Sequence, residues 1–251
     1  MTTIAIAGGT GTVGRLVVAE ATRRGHATVV LARSAGVDLR AGSTLLPALD
    51  GSDAVIDVLS VCTRSAATSI EFFEATSSVL LAAEAALGIG HHVALSIVGV
   101  DRAPFDYYAG KVAQEALVAG GDVPWSILRA TQFHEFAGQM LSAAKIGPLR
   151  LAPRMRTQPI DARVVAERLV DLAESSPSGR ARDLAGPREE SLPELMRAVA
   201  SARGIRGRIP ALSLPGAFGR AQRDGSLLPG PDAELVGPTF AQWLADTSTV
   251  H

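Results

Sequence analysis

The sequence is short of several residue types, and each shortage narrows what the chain can be. Among 251 residues there is one cysteine, Cys62. An internal disulfide is therefore excluded, and a reducing, cytoplasmic setting is expected. Cys62 itself reads as a small apolar side chain rather than a nucleophile. The five histidines include His91, His92 and His134 but form no HExxH or similar spacing, so no metal site is expected. No apolar run approaches the roughly 20 residues that span a bilayer. Met1 leads straight into the first apolar run, with no basic leader or cleavage site, so neither secretion nor a membrane is expected. The formal net charge of −1 gives no electrostatic ground for nucleic acid. Only two of the 24 basic residues are lysines, Lys111 and Lys145, and the only tyrosines are Tyr107 and Tyr108. A pattern that uses both rare types therefore carries weight.

What is present is a chain 47% hydrophobic, enough for a full core. Apolar strands alternate with helical patterns, the signature of a parallel sheet covered on both faces. Strands are expected at Thr3–Ala7, Ala27–Ala32, Ala54–Leu59, His92–Val98 and Pro124–Ala130, with a very short one at Gly36-Val37-Asp38. Helices are expected at Val13–Arg24, Thr44–Leu49, Thr68–Leu87 and Tyr107–Ala119. The fold class is α/β, a doubly wound parallel sheet over residues 1–132 with a smaller substrate lobe over 133–251 that is interleaved with the last core elements. In that second part Pro148, Pro153 and Pro159 punctuate a stretch of little periodicity. Helices follow at Ala162–Glu174 and Leu192–Ala202, with a last strand at Arg182–Ala185. Residues 204–232, rich in Gly, Pro and Arg, read as a mobile flap, and Trp243 is expected to dock a terminal helix. The 68–87 and 107–119 helices suit pairing in a homodimer and equally suit ordinary sheet cover.

The glycine run GGTGTVG joins the first strand to the first helix. Gly8, Gly11 and Gly14 are spaced by three across that junction. Such a turn offers backbone N–H groups and a positive helix end to a pyrophosphate. Gly8 permits the tight turn, Gly11 lets phosphate approach the backbone and Gly14 lets the helix pack on the strand. Gly8, Thr10, Gly11, Thr12, Val13 and Gly14 are thus candidate cofactor-binding residues. Arg33 follows the second strand, where an acidic residue would accept from the ribose 2′-hydroxyl of NAD and an arginine favours the 2′-phosphate of NADP. With Arg15 adding a second positive charge, NADP(H) is preferred and NAD(H) is the alternative.

Tyr107 and Lys111 form a YxxxK pair whose spacing puts both on one helical face. A phenol with a reference pKa near ~10 is a poor acid at neutral pH, and a neighbouring ammonium is expected to lower it. Tyr107 then becomes a general acid for carbonyl reduction. Ser96, near the end of its strand, could hydrogen-bond both a substrate carbonyl and the Tyr107 hydroxyl.

These residues carry a resemblance. The passage VALSIVGVDRAPFDYYAGKVAQEALVAGGDVPWSILRATQFHEF, with the glycine run, resembles the NmrA-like, atypical branch of the short-chain dehydrogenase/reductases over roughly residues 1–190. The most specific parts are GGTGTVG, LSIVGVD, YYxxK and RATQFHEF. The resemblance implies a Rossmann core, NADP(H) binding and a small C-terminal lobe over the site. It also implies the set Ser96, Tyr107 and Lys111, with Lys111 holding the cofactor ribose. Asp38 and Leu39 would lie beside the adenine, Ala130, Thr131, Gln132 and Phe133 would border the nicotinamide, and Phe133 and His134 would face a small-molecule substrate. The Asn-Ala-Gly stretch of most such reductases is absent; the chain reads Val58-Leu59-Ser60-Val61-Cys62-Thr63. The expected activity is NADPH-dependent reduction of a carbonyl, quinone or activated double bond. The branch also contains dinucleotide-sensing regulators without turnover, and a biosynthetic step using only the pocket is a further alternative.

Overall fold

Parallel strands buried on both faces require nearly continuous apolar runs, and the first strand, β1 (Thr3–Ala7, TIAIA), is one. The computed structural model describes residues 2–40, 42–146 and 149–248; Pro148 lies outside them. After β1 come α1 (Thr12–Arg23), β2 (Ala27–Leu31), α2 (Gly42–Leu49), β3 (Ala54–Asp57), α3 (Ala66–Leu87), β4 (His91–Ile97), α4 (Tyr107–Gly120) and β5 (Trp125–Ala130). Local chemistry sets several of their ends. The Ser65 hydroxyl accepts from the Thr68 N–H to cap α3, and Gly88, at φ +67°, closes it.

The sheet runs Glu234–Leu235, Leu184–Ala185, β5, β4, β3, β1, β2, with Gly179–Arg180 also on β5. Every one of these pairings is parallel. The chain therefore has an α/β, doubly wound parallel sheet. Alternation sorts its two faces. Ile4, Ile6, Ile56, Val93 and Leu95 pack with α1 and with α6 (Ala162–Glu174). Ala5, Ala7, Val55 and Leu31 face α2 and α3. Since β1 lies between β2 and β3, the connections leaving β1 and β3 diverge, and this reversal of strand order is where such sheets bind ligands.

The second core is not confined to the second half of the sequence. Val100, Ala103 and Tyr108 share it with Leu141, Met155, Met196, Ile209 and Phe240. Conversely α6, Leu184–Ala185 and Glu234–Leu235 return to the main sheet. The lobe consists chiefly of α5 (Glu135–Ala143), α7 (Leu192–Ala202), α8 (Gly216–Asp224) and α9 (Phe240–Ser248).

Three expectations are corrected. Gly36-Val37-Asp38 is not a strand: Arg33–Ala35 is a 3-10 turn, and Gly36, at φ +80°, turns the chain back so that Val37 enters the core beneath α2. Residues 204–232 are not a loose flap, for Ala211–Leu212 pairs with Ala152–Pro153 and α8 follows. Ile209, Ala221 and Leu227 anchor that stretch in the lobe core. Finally, the low-periodicity segment after Gln132 contains the helix α5.

Candidate active site

The glycine turn has the geometry its spacing suggested. Gly8 takes φ +82°, and a Cβ there would lie 3.1 Å from the Val58 carbonyl oxygen at the end of β3. Its N–H donates to the Leu31 carbonyl, and its own carbonyl accepts from the Gly11 N–H at 2.9 Å. A Cβ on Gly14 would sit 2.1 Å from the Gly8 oxygen, so the close approach of α1 to the turn requires glycine. The helix start at Gly11 has no side-chain cap and no acidic residue in its first turn. Its first amides lack intrahelical acceptors and carry the positive end of the helix dipole. Thr10, Gly11 and Thr12 are exposed, while Val13 is buried behind them. This cradle fits a dinucleotide pyrophosphate. Arg15 is exposed and folds back so that its guanidinium donates to the Thr10 carbonyl at 2.8 Å.

Around the expected adenosine end, Arg33 is exposed at the start of its turn. Asp38 is exposed; its carboxylate accepts from the Arg40 N–H and its N–H donates to the Thr44 hydroxyl. The Leu39 side chain, by contrast, is buried with Leu31, Leu45 and Leu49.

The reactive pair is set by the crossing of α3 and α4. A Cβ on Gly110 would lie 2.2 Å from the Ser69 hydroxyl and 2.5 Å from the Ser69 carbonyl oxygen, so the helices can meet this closely only at glycine. The same Ser69 hydroxyl donates to the Tyr107 carbonyl at 2.8 Å. Just before it, Asp106 holds φ +50° and ψ −126°, a conformation costly for a residue with a Cβ. Together these features fix where α4 begins. Tyr107 then packs edge-on to Phe73 at 5.8 Å, and the Lys111 ammonium lies 4.6 Å above the same ring.

The expected contacts of that pair are corrected in two respects. The Tyr107 hydroxyl donates to the Ser60 hydroxyl at 3.2 Å, not to Ser96. Ser96 points to the α3–α4 face of β4, is buried, and its hydroxyl has no hydrogen-bond partner among the described residues. Nor does Lys111 lower the Tyr107 pKa here. Burial pushes Tyr107 up to about 12, the Ser60 bond opposing that rise and the Asp57 charge adding to it. The Lys111 ammonium donates instead to Gln114 Oε1 at 2.5 Å. Burial pulls Lys111 down to about 8, against the upward pull of Asp57 and Glu115. At neutral pH Tyr107 is thus wholly in its acid form and Lys111 is mostly charged.

At the end of β5, Ala130 is buried and the Thr131 N–H donates to the Leu184 carbonyl. The Thr131 hydroxyl is buried without a hydrogen-bond partner among the described residues. Gln132 is clamped: its Nε2 donates to the Tyr108 hydroxyl at 2.9 Å and its Oε1 accepts from the Thr157 hydroxyl at 2.8 Å. Phe133, half-buried, pairs with Ile160. His134, expected to face a substrate, is buried inside the lobe. Its ring is buried 5.4 Å from Phe240 and 5.3 Å from Trp243, and its Nε2 lies 3.2 Å from the Pro238 carbonyl oxygen. It fastens α9 to the lobe.

Sequence reasoning missed Ser60, Asp57, Gln114 and Phe73. Ser60 lies in the quoted Val58–Thr63 stretch, and the buried Asp57 closes an otherwise apolar strand, AVID. Either anomaly was a readable signal. A cavity of about 640 Å³ lies between the loop before α4 and α8, lined by Arg102, Phe105, Arg220 and Arg223 among others. Phe105 stands two residues before Tyr107. No group of three or more His, Cys, Asp or Glu among the described residues is placed to hold a metal, and no helix among them is long and apolar enough to cross a membrane.

No family model matches the chain, and no curated protein sequence matches it. Solved structures do. A UDP-N-acetylglucosamine 4-epimerase from Bacillus cereus superposes with TM-score 0.73 at 15% identity, covering 100% of this chain and 96% of that one. An NADPH-dependent quinone oxidoreductase from Escherichia coli gives 0.71 at 15% identity, covering 97% and 99%. A short-chain dehydrogenase/reductase superfamily protein from Agrobacterium tumefaciens with bound NAD gives 0.69 at 18% identity, covering 98% and 96%. At such identities the likeness is one of fold alone, a doubly wound parallel sheet carrying a smaller lobe.

Proposed function

We propose that the chain is an NAD(P)H-dependent oxidoreductase of the atypical short-chain type. It prefers NADP(H) and reduces a carbonyl, quinone or activated double bond of a small organic molecule in a reducing cytoplasm. One observation carries this reading. The uncapped, glycine-lined start of α1 and the pair of half-buried Tyr107 and buried Lys111 both stand at the C-terminal edge of one parallel sheet. A fold shared with an NADPH-dependent quinone oxidoreductase and with an NAD-bound protein supports a dinucleotide there.

In this reading Gly8, Thr10, Gly11, Thr12, Val13 and Gly14 hold the pyrophosphate, Arg33 and Arg15 meet the 2′-phosphate, and Asp38 and the Leu39 backbone border the adenine. Ala130, Thr131, Gln132 and Phe133 border the nicotinamide, which supplies a hydride when bound. Tyr107 gives its proton to the oxygen on which negative charge develops. The Ser60 hydroxyl, which accepts from Tyr107 before the transfer, can donate back to the phenolate afterwards, and the Lys111 ammonium would hold the cofactor ribose. The substrate enters beside Phe105, under α8.

A second reading, a dinucleotide-sensing protein without turnover, is favoured by the engagement of Lys111 with Gln114. One experiment separates the two. Wild type and Tyr107→Phe are titrated calorimetrically with NADPH, NADP+ and NADH, and NADPH consumption is followed over a panel of quinones and carbonyls. The oxidoreductase reading expects tight NADPH and weak NADH binding in both proteins, with turnover reduced roughly 100- to 10,000-fold by the substitution. Binding that distinguishes NADPH from NADP+ with no turnover across the panel selects the sensor. If no dinucleotide binds, both readings fall.

A further inference from the structure

We propose that Asp57, acting through Gln114, is the positioning residue for Lys111, orienting an amide bridge that holds the lysine as a cation beside Tyr107. The inference rests on Tyr107 and Lys111 being the reactive pair, and it assigns work to two residues that the sequence did not single out.

Asp57 is the last residue of β3 and is fully buried. One oxygen accepts from the Leu59 N–H at 2.9 Å and the other from Gln114 Nε2 at 2.8 Å. An ionised carboxylate only accepts, so Gln114 must present its NH2 to Asp57. The amide then has one orientation, with Oε1 toward the Lys111 ammonium. Gln114 and Lys111 are themselves buried, and Phe73 closes the other side of the ammonium through a cation–π contact.

Charge balance gives the same assignment. Two acids act on Lys111, Asp57 and Glu115, and Glu115 is held by Arg129 in two hydrogen bonds of 2.7 and 2.6 Å. Tyr107 is neutral. Asp57 is left as the anion that balances Lys111, yet among the described residues it makes no direct ion pair with the lysine. The amide between them transmits orientation while occupying only one of the three ammonium donors. The remaining donors can turn to a ribose or to the Tyr107 oxygen. An asparagine at 57 would break this logic: one of its two positions becomes a donor, facing either the Leu59 N–H or the Gln114 amide.

The composition supplies the test. With two lysines in the chain, protein labelled with 13C-lysine gives two side-chain Cε signals, and a Lys145→Arg variant assigns them. The cofactor-free protein is titrated by NMR from pH 6 to 11. Wild-type Lys111 is expected to titrate near 8. In Asp57→Asn its midpoint should fall by a pH unit or more, a tenfold loss of charged lysine at a given alkaline pH. If that variant fails to fold, Gln114→Leu takes its place, and removal of the acceptor should again lower the midpoint. An unchanged or raised midpoint in a folded variant overturns the proposal. Because no cofactor or substrate is present, this result is independent of the reaction. The pH profile of kcat/KM for NADPH-dependent turnover is then compared. A profile that follows the Lys111 midpoint supports both the proposal and the reaction. A shifted lysine with an unmoved profile keeps Asp57 as the residue that sets Lys111 and removes Lys111 from the chemistry.

Discussion

Two buried charge clusters lie under the same pair of helices and are built in opposite ways. At the start of β4, His92 Nδ1 lies 2.9 and 3.0 Å from the two oxygens of Glu84, and both side chains are 0% exposed. Imidazole and carboxyl meet directly, so each is the other's partner, and His92 Nε2 on the far side of the ring is buried without a hydrogen-bond partner among the described residues. At the end of β3, Asp57 and Lys111 are kept apart by Gln114. The separated pair gives up part of the Coulombic attraction but leaves a cation with donors unspent at the sheet edge where the chain turns. One closed pair and one bridged pair, in similar burial, show that arrangement rather than burial distinguishes a structural charge from a candidate reactive one. A lysine displaced to about 8 is a functional candidate only because geometry leaves it something to act upon.

The comparison breaks most visibly at Glu84. Glu84→Ala leaves a fully buried histidine without its partner, and removing one member of a buried pair typically costs about 3–5 kcal/mol. Urea unfolding should show a loss of that size, while the folded fraction binds NADPH as wild type does. A loss below about 1 kcal/mol would mean that the pair contributes little to the fold. A smaller effect on stability, but a larger one on the site, is expected from Gly110→Ala. An alanine inside a helix ordinarily stabilises by roughly 1 kcal/mol relative to glycine. Here its Cβ would meet backbone and hydroxyl atoms of Ser69, so the sign should reverse to about 1–3 kcal/mol of destabilisation, as overpacking gives. Since Ser69 also holds the Tyr107 carbonyl, turnover should fall along with stability. A stabilised Gly110→Ala protein would show that the α3–α4 crossing has room to spare.

The two clusters also mark what the sequence could and could not say. Strand and helix periods place nearly every element of the main sheet, because buried parallel strands such as TIAIA and AVID have few alternative structures. The glycine turn is legible for a related reason: Gly8 and Gly14 are demanded by backbone geometry within seven residues. Tyr107 and Lys111 are legible through helical spacing. Ser60 and Asp57 are not, because they reach the pair from the end of β3 and the segment after it, a tertiary fact with no local period; Gln114, three residues after Lys111 on α4, lies within the same helical spacing. Ser96 was expected near Tyr107 on the strength of its strand position. Ser60, on the segment after β3, reaches the phenol instead, and the Ser96 hydroxyl is buried without a hydrogen-bond partner among the described residues. In the lobe, sparse apolar residues among Gly, Pro and Arg hid α8 and the burial of Leu227.

The pH dependence of stability sharpens the contrast, since the two clusters should act with opposite sign. Burial holds Glu84 above the ordinary carboxylate value, and His92 is held above its ordinary value by Glu84 and Asp57 despite its own burial. The folded protein therefore keeps protons that the unfolded chain releases. The pair's contribution is largest in acid, and that from His92 is lost as pH rises from about 6.5 through its raised value. Each such proton contributes a slope of up to about 1.4 kcal/mol per pH unit. Lys111 does the reverse. Its folded value, about 8, lies below the unfolded value of 10.5, so between those limits the unfolded chain binds the extra proton and stability rises with pH. Unfolding free energies of wild type, Glu84→Gln/His92→Gln and Lys111→Met, measured from pH 5 to 10.5, separate the two. The double variant should lose the fall that begins near neutrality, and Lys111→Met should lose the alkaline rise. If wild type minus Lys111→Met instead declines above pH 8, the lysine is held as a cation more tightly in the fold than in water. Asp57 would then act as a direct counter-ion, and the contrast between a closed and a bridged pair would disappear.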